Sequence, residues 1–532
     1  MNRRQFVTRG ALAAAGAVSA TRVAFAWGGP AAAGEADGDM RSFSCEDSRL
    51  QRAYLAALGV LSGNVARLSA WPGPVLHEGS VYRGVWQECG PQEGLVYADV
   101  GTDAARAVAR NNHLIFFALQ KEDGQLPYNV RASGPGWGQI QMVVPIAATA
   151  WELARRTGDD ELLEKAYAGC GRWDGWLRKY RDTGKTGLCE GFCTWDTGMD
   201  NSPRWSGEPN ACPDGDARKC PEGAGLPRLC PDLSATVYGG RVALAAMAAA
   251  LGKTTEADRW KQDAERIRQL IVDRLYDAHD GGFYDRDAQN RFVWVRSAAT
   301  LRVLGEHVPD ADLFEEVWRR QVHNPKVFWA AYPFPSVALD DPQFVRPIPR
   351  NSWGGASQAL TALRAPRWME HYGKSAELAW LMQRWVSAVE RDGGFRQQMD
   401  PVSGEFTAGD PGGYSPAALV FFDFLWRLSG VRENEDLVEW NVRPPAKGRA
   451  RFTAKVAGTT AELGYAGHSA EMRLSGRTLA TVSGVVRLTT TRTGALREAV
   501  GIAEKTSTVT LHVPGRPART LQVAGNARVA LT

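Results

Sequence analysis

Apolar residues recur at helical spacing through most of this chain, from Ser48 to about Ser429. The first such stretch places Leu50, Tyr54 and Leu58 on one face, which is the three- and four-residue spacing of an amphipathic helix. Connections rich in glycine and proline separate the stretches, and such residues interrupt helices. The pattern predicts a large, mainly α domain with helices over residues 47–61, 142–156, 161–180, 237–251, 258–275, 372–390 and 416–428.

The pattern changes past Glu439. Residues 442–445 predict a linker, and from Arg451 onward short runs of Val, Thr and Leu alternate with turns. Such runs are typical of β-strands. We therefore predict a helical domain over residues 45–440 and a small antiparallel, β-sandwich-like domain over residues 448–532. The sequence leaves open whether the second domain binds carbohydrate or only packs on the first.

The first residues have the order of an export signal. Arg3 and Arg4 precede an apolar run that ends in Ala24-Phe25-Ala26. A twin arginine, an apolar core too short for a bilayer and an Ala-x-Ala site predict a Tat-type signal peptide. We assign it to residues 1–26, followed by a flexible leader over residues 27–44. The expected location is periplasmic or secreted, and we predict no membrane span because no other apolar run is long enough.

Composition adds few constraints on partners. The 532 residues carry 63 basic and 59 acidic side chains, which gives a formal charge of +4. This near-balance gives no reason to expect nucleic acid as a partner. The chain has 19 tryptophans, and a carbohydrate-binding cleft is a sensible place for several of them. The sequence predicts no particular oligomeric state.

All eight cysteines follow the predicted cleavage site. An even number of cysteines in an exported protein favours disulfides over free thiols. The spacings match no common zinc pattern. We predict that most of the six in the middle of the chain are oxidised, with the pairing left open: Cys170, Cys189, Cys193, Cys212, Cys220 and Cys230.

The most informative segment is residues 193–205, called the signature loop below. It combines Asp196, Asp200 and Arg204 with the tryptophans Trp195 and Trp205. Flat indole faces suit sugar rings, and a carboxylic acid among apolar rings can keep its proton near neutral pH. A buried turn with an ion pair between Asp200 and Arg204 would use the same residues, so residue types alone leave both interpretations open.

The residue order decides between them, and it reads Trp195-Asp196-Thr197-Gly198-Met199-Asp200-Asn201-Ser202-Pro203-Arg204-Trp205. This order resembles the signature of family 63 of the glycoside hydrolases, including its mannosylglycerate-hydrolase-like members, and trehalases carry a similar loop. The resemblance continues more loosely from about Trp86 to Leu428. It implies a glycosidase whose helical domain is an (α/α)6 barrel, a toroid of six helical hairpins, with Asp200 as the general acid.

The resemblance fails at one functional position. Inverting glycosidases need a second carboxylate, a base that deprotonates the attacking water. The base of the family is a Glu, whereas the matching position here is Gln397, and an amide is too weak a base. We expect a displaced base among Asp400, Glu405, Asp410 and Glu370. The alternatives are a glycan-binding relative that has lost its base and, less favoured, a phosphorylase or lyase on the same barrel.

Other residues are expected to bind the substrate. Residues 351–355 resemble a Trp-Arg-Gly-Pro segment of the family and contribute Trp353. We predict neither metal nor cofactor, because the histidines lack a His-Glu-x-x-His spacing and the acids of residues 277–287 do not follow the EF-hand order. A carbohydrate is the expected partner, and the predicted substrate-binding residues are Trp195, Asp196, Asn201, Arg204, Trp205, Trp353 and Gln397.

Overall fold

The computed structural model describes residues 40–223 and 225–531. The predicted signal peptide and most of the predicted leader lie outside these residues. Within them, the chain forms twelve α-helices, α1 to α12, which are Ser48–Gly63, Gly90–Tyr97, Asp103–Ala118, Ile146–Thr157, Asp160–Tyr180, Pro231–Ala250, Thr254–Leu275, Ala299–Gly305, Ala311–Val317, Ala359–His371, Ser375–Asp392 and Ser415–Ser429.

The even-numbered helices close a ring. They contact one another in the order α2, α4, α6, α8, α10 and α12, and α12 contacts α2 again. Odd-numbered helices pack outside this ring, for example α3 on α2 and α7 on α6. The sequences agree with these positions, since α12 is apolar and buried nearly all round whereas α7 buries only one stripe. The helical domain is therefore the (α/α)6 barrel that the resemblance implied.

Short strands occupy the connections between the barrel helices. The longer connections lie before the inner helices, and those before α2, α4, α6, α8, α10 and α12 meet at one end of the ring. The strand pairs and triplet there are Val65–Leu68 with Trp71–Leu76, Val85–Trp86 with Asn129–Arg131 and Gly134–Gly136, Glu190–Gly191 with Arg228–Leu229, Tyr276–Asp277 with Gly282–Phe283, and Ser357–Gln358 with Gln398–Met399.

The C-terminal domain consists of two antiparallel sheets. The strands show the alternating burial expected when one face of a sheet is covered, as in Arg449–Val456. In sheet order, the seven-stranded sheet is Ser42–Cys45, Arg449–Val456, Thr459–Ala466, Ser469–Leu474, Arg477–Ser483, Ser507–His512 and Arg519–Val523, and the five-stranded sheet is Val431–Asn434, Leu437–Val442, Val486–Thr491, Leu496–Val500 and Arg528–Ala530.

These sheets correct two predicted boundaries. The end of the expected flexible leader is a strand, because Ser42–Cys45 pairs with the strand Arg449–Val456. The β domain also starts before the predicted linker at residues 442–445, since Val431–Asn434 and Leu437–Val442 already belong to the five-stranded sheet. The β domain therefore begins at Val431 and includes a strand from the N-terminal side of the barrel.

One helix within the described ranges is long and apolar enough to cross a membrane, namely α6. Of its most apolar 18-residue window, 67% is buried inside the fold. Its place in the inner ring explains that composition without a bilayer.

Candidate active site

The signature loop lies before α6 and packs onto the connection before α2. It contains two short 3-10 turns, Thr194–Thr197 and Pro203–Trp205, separated by Gly198 with a left-handed φ of +63°. A Cβ atom at Gly198 would lie 2.0 Å from Oε2 of Glu88. Only glycine therefore lets the loop approach the Glu88 carboxylate so closely.

Asp196 anchors the loop from inside. Its carboxylate forms a two-pronged ion pair with Arg181, and neither side chain is exposed to solvent. The same carboxylate accepts the backbone N–H groups of Ile140 at 2.9 Å and Phe192 at 2.8 Å. Because both oxygens are engaged within the protein, the structure assigns Asp196 to the framework and corrects the expectation that it binds substrate.

Arg204 likewise points into the interior. Its guanidinium donates to both oxygens of Asp232 at 2.9 Å and to Asp285 at 2.6 and 2.8 Å. Burial opposes its charge, but the two carboxylates hold the pKa of Arg204 well above its usual value. Arg204 therefore neither pairs with Asp200 nor reaches a substrate, which corrects both sequence-based expectations for it.

Trp205 is buried as well. Its indole N–H donates to Thr197 at 3.1 Å, and its ring lies 4.7 Å from the Arg228 guanidinium. With 2% of its surface exposed, Trp205 offers no stacking face to a sugar, contrary to the prediction. Trp195, in contrast, keeps part of its surface exposed.

A chain of side-chain hydrogen bonds joins Asp200 to Gln397. The Asn351 side chain donates to Oδ2 of Asp200 at 3.2 Å and accepts from Nε2 of Gln397 at 3.2 Å. On the far side, the hydroxyl of Tyr82 donates to Oε1 of Gln397 at 3.3 Å. Asp200 and Gln397 thus face each other across one amide group, a separation compatible with the roughly 6.5–9.5 Å between the two carboxyl groups of inverting glycosidases.

Asn351 is the site residue whose role the sequence did not indicate. It has a left-handed φ of +49°, and its carbonyl oxygen accepts from the exposed Asn201 side chain at 2.8 Å. Asn tolerates this conformation better than other non-glycine residues. The only hint in the sequence is that Asn351 directly precedes Ser352 and Trp353 in the segment that resembles the family.

The four acids proposed as displaced bases occupy different environments. Glu370 lies at the contact between the barrel and the β domain, where it pairs with Arg427 at 3.0 Å and Arg487 at 3.4 Å. Asp400 pairs with Arg346 at 2.9 Å and caps the turn that follows it. Glu405 is exposed in that turn. None of these three contacts Asp200, Asn351 or Gln397 in the hydrogen bonds of the described residues.

Asp410 alone among the four reaches the site. Its Oδ2 accepts the backbone N–H of Gln397 at 2.9 Å, and the residue is only 6% exposed. Burial raises the pKa of its carboxyl, while backbone hydrogen bonds and the nearby Arg350 work against that rise. A buried carboxylate with a raised pKa is suited to accept a proton, and Asp410 is the one of the four that adjoins the bridge to Asp200.

Aromatic side chains form one wall of the site. Trp86 stacks on Tyr128 with ring centroids 6.4 Å apart and an interplanar angle of 8°, and Tyr82 packs beside them. The backbone N–H of Trp353 donates to the Asp200 carbonyl at 3.1 Å, so Trp353 lies near Asp200. However, Trp353 is only 3% exposed, and the Arg302 guanidinium lies 5.2 Å from its ring.

Two buried polar groups, one in the signature loop and one beside Tyr128, lack partners within the described residues. They are the hydroxyl of Ser202, in the signature loop, and Oδ1 of Asn129, next to Tyr128. Buried polar groups usually have hydrogen-bond partners, so exceptions call for a specific explanation. A ligand rich in hydroxyl groups could supply the missing partners.

A cluster of buried acids lies beneath the aromatic wall. Oxygen atoms of Glu78 and Glu88 and the sulfur of Cys89 lie within 4.8 Å of one another, and Arg364 donates to the carbonyl of Glu88 at 3.0 Å. Glu93, on α2, has no exposed surface. Burial first, and then the Glu88 charge, raise the pKa of Glu93 to about 8, although a hydrogen bond with Cys89 and the Arg364 charge lower it.

Two other groups have metal-like proximity, with ligand atoms again within 4.8 Å: Cys193, Asp196 and Cys212, and Cys230, Asp232 and Asp285. Their carboxylates are already engaged by arginines, as described above. This pairing competes with a cation for the same oxygens.

All eight cysteines are thiols in the structure. The structure therefore contains none of the disulfides predicted for the six central cysteines. The sulfur atoms of Cys193 and Cys212 nevertheless lie 3.8 Å apart, and Cys220 packs beside them.

Comparisons with known proteins concern the helical domain that carries this site. The family model described as "Mannosylglycerate hydrolase MGH1-like glycoside hydrolase domain" matches residues 101–415. A search of curated sequences finds no match.

Among solved structures, the chain is similar to the GH63 mannosylglycerate hydrolase of Thermus thermophilus, with a TM-score of 0.57, 21% identity, and coverage of 70% of this chain and 100% of the other. It is also similar to the neutral trehalase of Saccharomyces cerevisiae, with a TM-score of 0.51, 13% identity, and coverage of 69% and 79%. A rhamnosidase from Klebsiella oxytoca gives a TM-score of 0.52 at 13% identity, with coverage of 73% and 66%.

Proposed function

This chain belongs to the mannosylglycerate hydrolase MGH1-like glycoside hydrolase family, and on that premise we propose that it is an exported glycosidase that inverts the anomeric centre. Asp200 is the general acid and Asp410 the general base. The observation that carries the proposal is the hydrogen-bonded bridge from Asp200 through Asn351 to Gln397, whose backbone N–H holds the Asp410 carboxylate.

The reaction follows from these positions. Protonated Asp200 donates its proton to the glycosidic oxygen while the bond from that oxygen to the anomeric carbon breaks. Water attacks the anomeric carbon from the opposite face, and its proton passes to the Asp410 carboxylate, so the configuration inverts. Because the Asn351 amide donates to Oδ2 of Asp200, the transferable proton belongs on Oδ1.

Gln397 has a positioning role in this scheme. Its side chain continues the bridge from Asn351 to Tyr82, and its backbone N–H fixes Asp410. Tyr128 is partly exposed and supplies a flat surface for the sugar ring, while the buried Trp86 on which it stacks supports it from behind. Asn201 remains a substrate-binding candidate because its side chain donates to the Asn351 carbonyl, and Trp195 because part of its surface is exposed. Trp353 is buried like Trp205 and offers no stacking face, contrary to the prediction.

Chemical rescue tests the two carboxylates separately. Asp200→Ala should abolish turnover of substrates with poor leaving groups and spare an activated aryl glycoside, because only the former need a proton. Asp410→Ala should lose activity on both, and azide should restore turnover by replacing the activated water. Asp400→Ala serves as the matched control, since its carboxylate pairs with Arg346 outside the bridge. Full activity of Asp410→Ala would refute the assignment of the base.

The glycan-binding alternative has one specific observation in its favour, which is Gln397 at the base position of the family. It predicts that the wild type binds soluble glycans in affinity electrophoresis but cleaves none of a broad glycoside panel. The hydrolase proposal predicts cleavage with inversion, and NMR of the first-formed anomer would detect it.

Export is proposed from the sequence of residues 1–26 alone. Changing Arg3 and Arg4 together to Lys should leave the precursor in the cytoplasm. Fractionation of cells expressing each form, with the mass of the mature chain, tests both the route and cleavage after Ala26. A variant exported as efficiently as the wild type would contradict the Tat assignment.

A further inference from the structure

One aromatic side chain outside the bridge is prominently exposed. Trp294 has 57% of its surface accessible, although isolated exposed apolar residues are common and need no special explanation. What distinguishes Trp294 is the combination of its exposure, the rings that hold it and its place on the barrel.

Neighbouring rings fix the orientation of the Trp294 indole. Tyr284 lies 5.0 Å from it at an interplanar angle of 59°, and Phe292 lies 5.1 Å from it at 56°. Tyr284 is itself buried, and the Arg286 guanidinium covers Phe292 at 3.8 Å. A flat ring held on its inner side and open to solvent loses little conformational freedom when a ligand stacks on it.

The position of Trp294 connects it to the candidate active site. It lies in the segment before α8, and the segments before the inner helices meet at the active-site end of the ring. The preceding residue, Val293, donates its N–H at 2.9 Å to the carbonyl of Asp285, which holds Arg204 of the signature loop. Trp294 is therefore tied to the loop that carries the acid.

A second tie runs to the segment that carries Asn351. Arg296 donates its backbone N–H to Asp341 at 2.8 Å and pairs with Asp340 at 2.8 Å. These aspartates lie in the connection before α10, which also carries Asn351. The segment of the exposed indole is thus bonded both to Asp285, the partner of Arg204 in the signature loop, and to the connection that carries Asn351.

We propose that Trp294 forms a distal sugar-binding subsite, at which a pyranose ring of the substrate stacks on the indole while another glycosidic bond lies at Asp200. This inference rests on the proposed glycosidase function and adds a substrate class, namely oligosaccharides longer than a disaccharide. The C–H face of a pyranose is apolar and complements an indole face, and burial of aromatic surface favours binding.

The test compares hydrolysis across substrate lengths. The probes are manno-, gluco- and rhamno-oligosaccharides from disaccharide to hexasaccharide, and the readout is kcat/KM for each length. In the wild type, kcat/KM should rise with length. Trp294→Ala should lose about tenfold on the longer substrates, equivalent to one stacking contact, and change little on the disaccharide. Trp294→Tyr should keep part of the increase in kcat/KM with substrate length.

Leu55→Ala is the matched control, because Leu55 is 56% exposed on α1 and borders none of the site segments. It should reproduce the length profile of the wild type. An unchanged profile in Trp294→Ala would overturn the proposed subsite while leaving the hydrolase proposal intact.

A binding measurement distinguishes a failure of the proposed subsite from a failure of the proposed hydrolase function. If the wild type cleaves none of the probes, retardation in gels containing soluble mannan, glucan or rhamnan is measured instead. Loss of retardation in Trp294→Ala but not in Leu55→Ala would support the subsite even though hydrolysis had failed. Equal retardation of both variants, or none for the wild type, would refute it.

Discussion

Replacing Glu93 with Gln should stabilise the protein, and increasingly so as pH rises. Glu93 is fully buried on α2 beside Cys89 and Glu88. Its pKa rises from 4.5 to about 8 in the folded protein, chiefly because burial penalises the charged form. Above pH 4.5 the unfolded chain releases this proton while the folded protein retains it. Folding stability must therefore fall between the two pKa values and level off above the higher one.

The size of the effect follows from the two pKa values. Each pKa unit corresponds to about 1.36 kcal/mol. Relative to a chain in which this group stays neutral, the free energy of unfolding of the wild type should therefore be lower by on the order of 3 kcal/mol at pH 7. Above pH 8 the difference should be on the order of 5 kcal/mol. Gln has the shape of protonated Glu and cannot ionise, so the advantage of Glu93→Gln should grow over the same window and be small near pH 4.5.

Denaturant unfolding at several pH values between 4.5 and 9 measures this advantage as a shift in the midpoint. The exposed Glu164→Gln variant is the control and should change stability by less than about 0.5 kcal/mol at each pH. An advantage of Glu93→Gln that stays constant with pH, or that reverses at high pH, would show that Glu93 is not held neutral by burial.

Three further outcomes are expected. Arg204→Met should cost about 3–5 kcal/mol in unfolding experiments because it leaves two buried carboxylates without their cation, and a smaller loss than an exposed Arg→Met control would contradict that role. Gln397→Glu should not raise hydrolysis of a substrate that the wild type already cleaves, since the new charge competes with Asp410 for the same water, and a large gain would show that Asp410 is not the base. Oxidised glutathione should convert Cys193 and Cys212 into a disulfide by thiol–disulfide exchange, with loss of two hydrogens from the protein. Peptide mass mapping detects this change, and two intact thiols would refute a disulfide between Cys193 and Cys212.

The helical pattern predicted much of the fold because each amphipathic helix carries its own periodic signal. The helices α5, α7 and α12 begin and end within a few residues of their predicted bounds. The strand Ser42–Cys45 was missed because a four-residue segment has too short a pattern, and its stability comes from pairing with residues more than 400 positions away. Long-range pairing of this kind leaves little local trace in a sequence.

The site was only partly predictable for the same reason. The signature loop pointed to Asp200 as the proposed acid, but residue types could not distinguish it from Asp196, whose partner Arg181 directly follows the end of α5. Similarly, nothing near Arg204 in the sequence indicates that Asp285 will hold it. The Asn351 bridge depends on three segments meeting at the end of the ring, which only the folded chain brings together.

The N-terminal strand has a consequence for how the molecule can be divided or assembled. Phe43 packs against Phe452 with ring centroids 4.6 Å apart and against Tyr54 at 5.1 Å, so its apolar cover is complete only when the last domain is present. During synthesis, the strand Ser42–Cys45 can pair only after the strand Arg449–Val456, near the end of the chain, has been made. A truncation after α12 should therefore leave the apolar side of the strand Ser42–Cys45 exposed and prone to aggregation. The barrel alone is not expected to be a stable, independently folded unit.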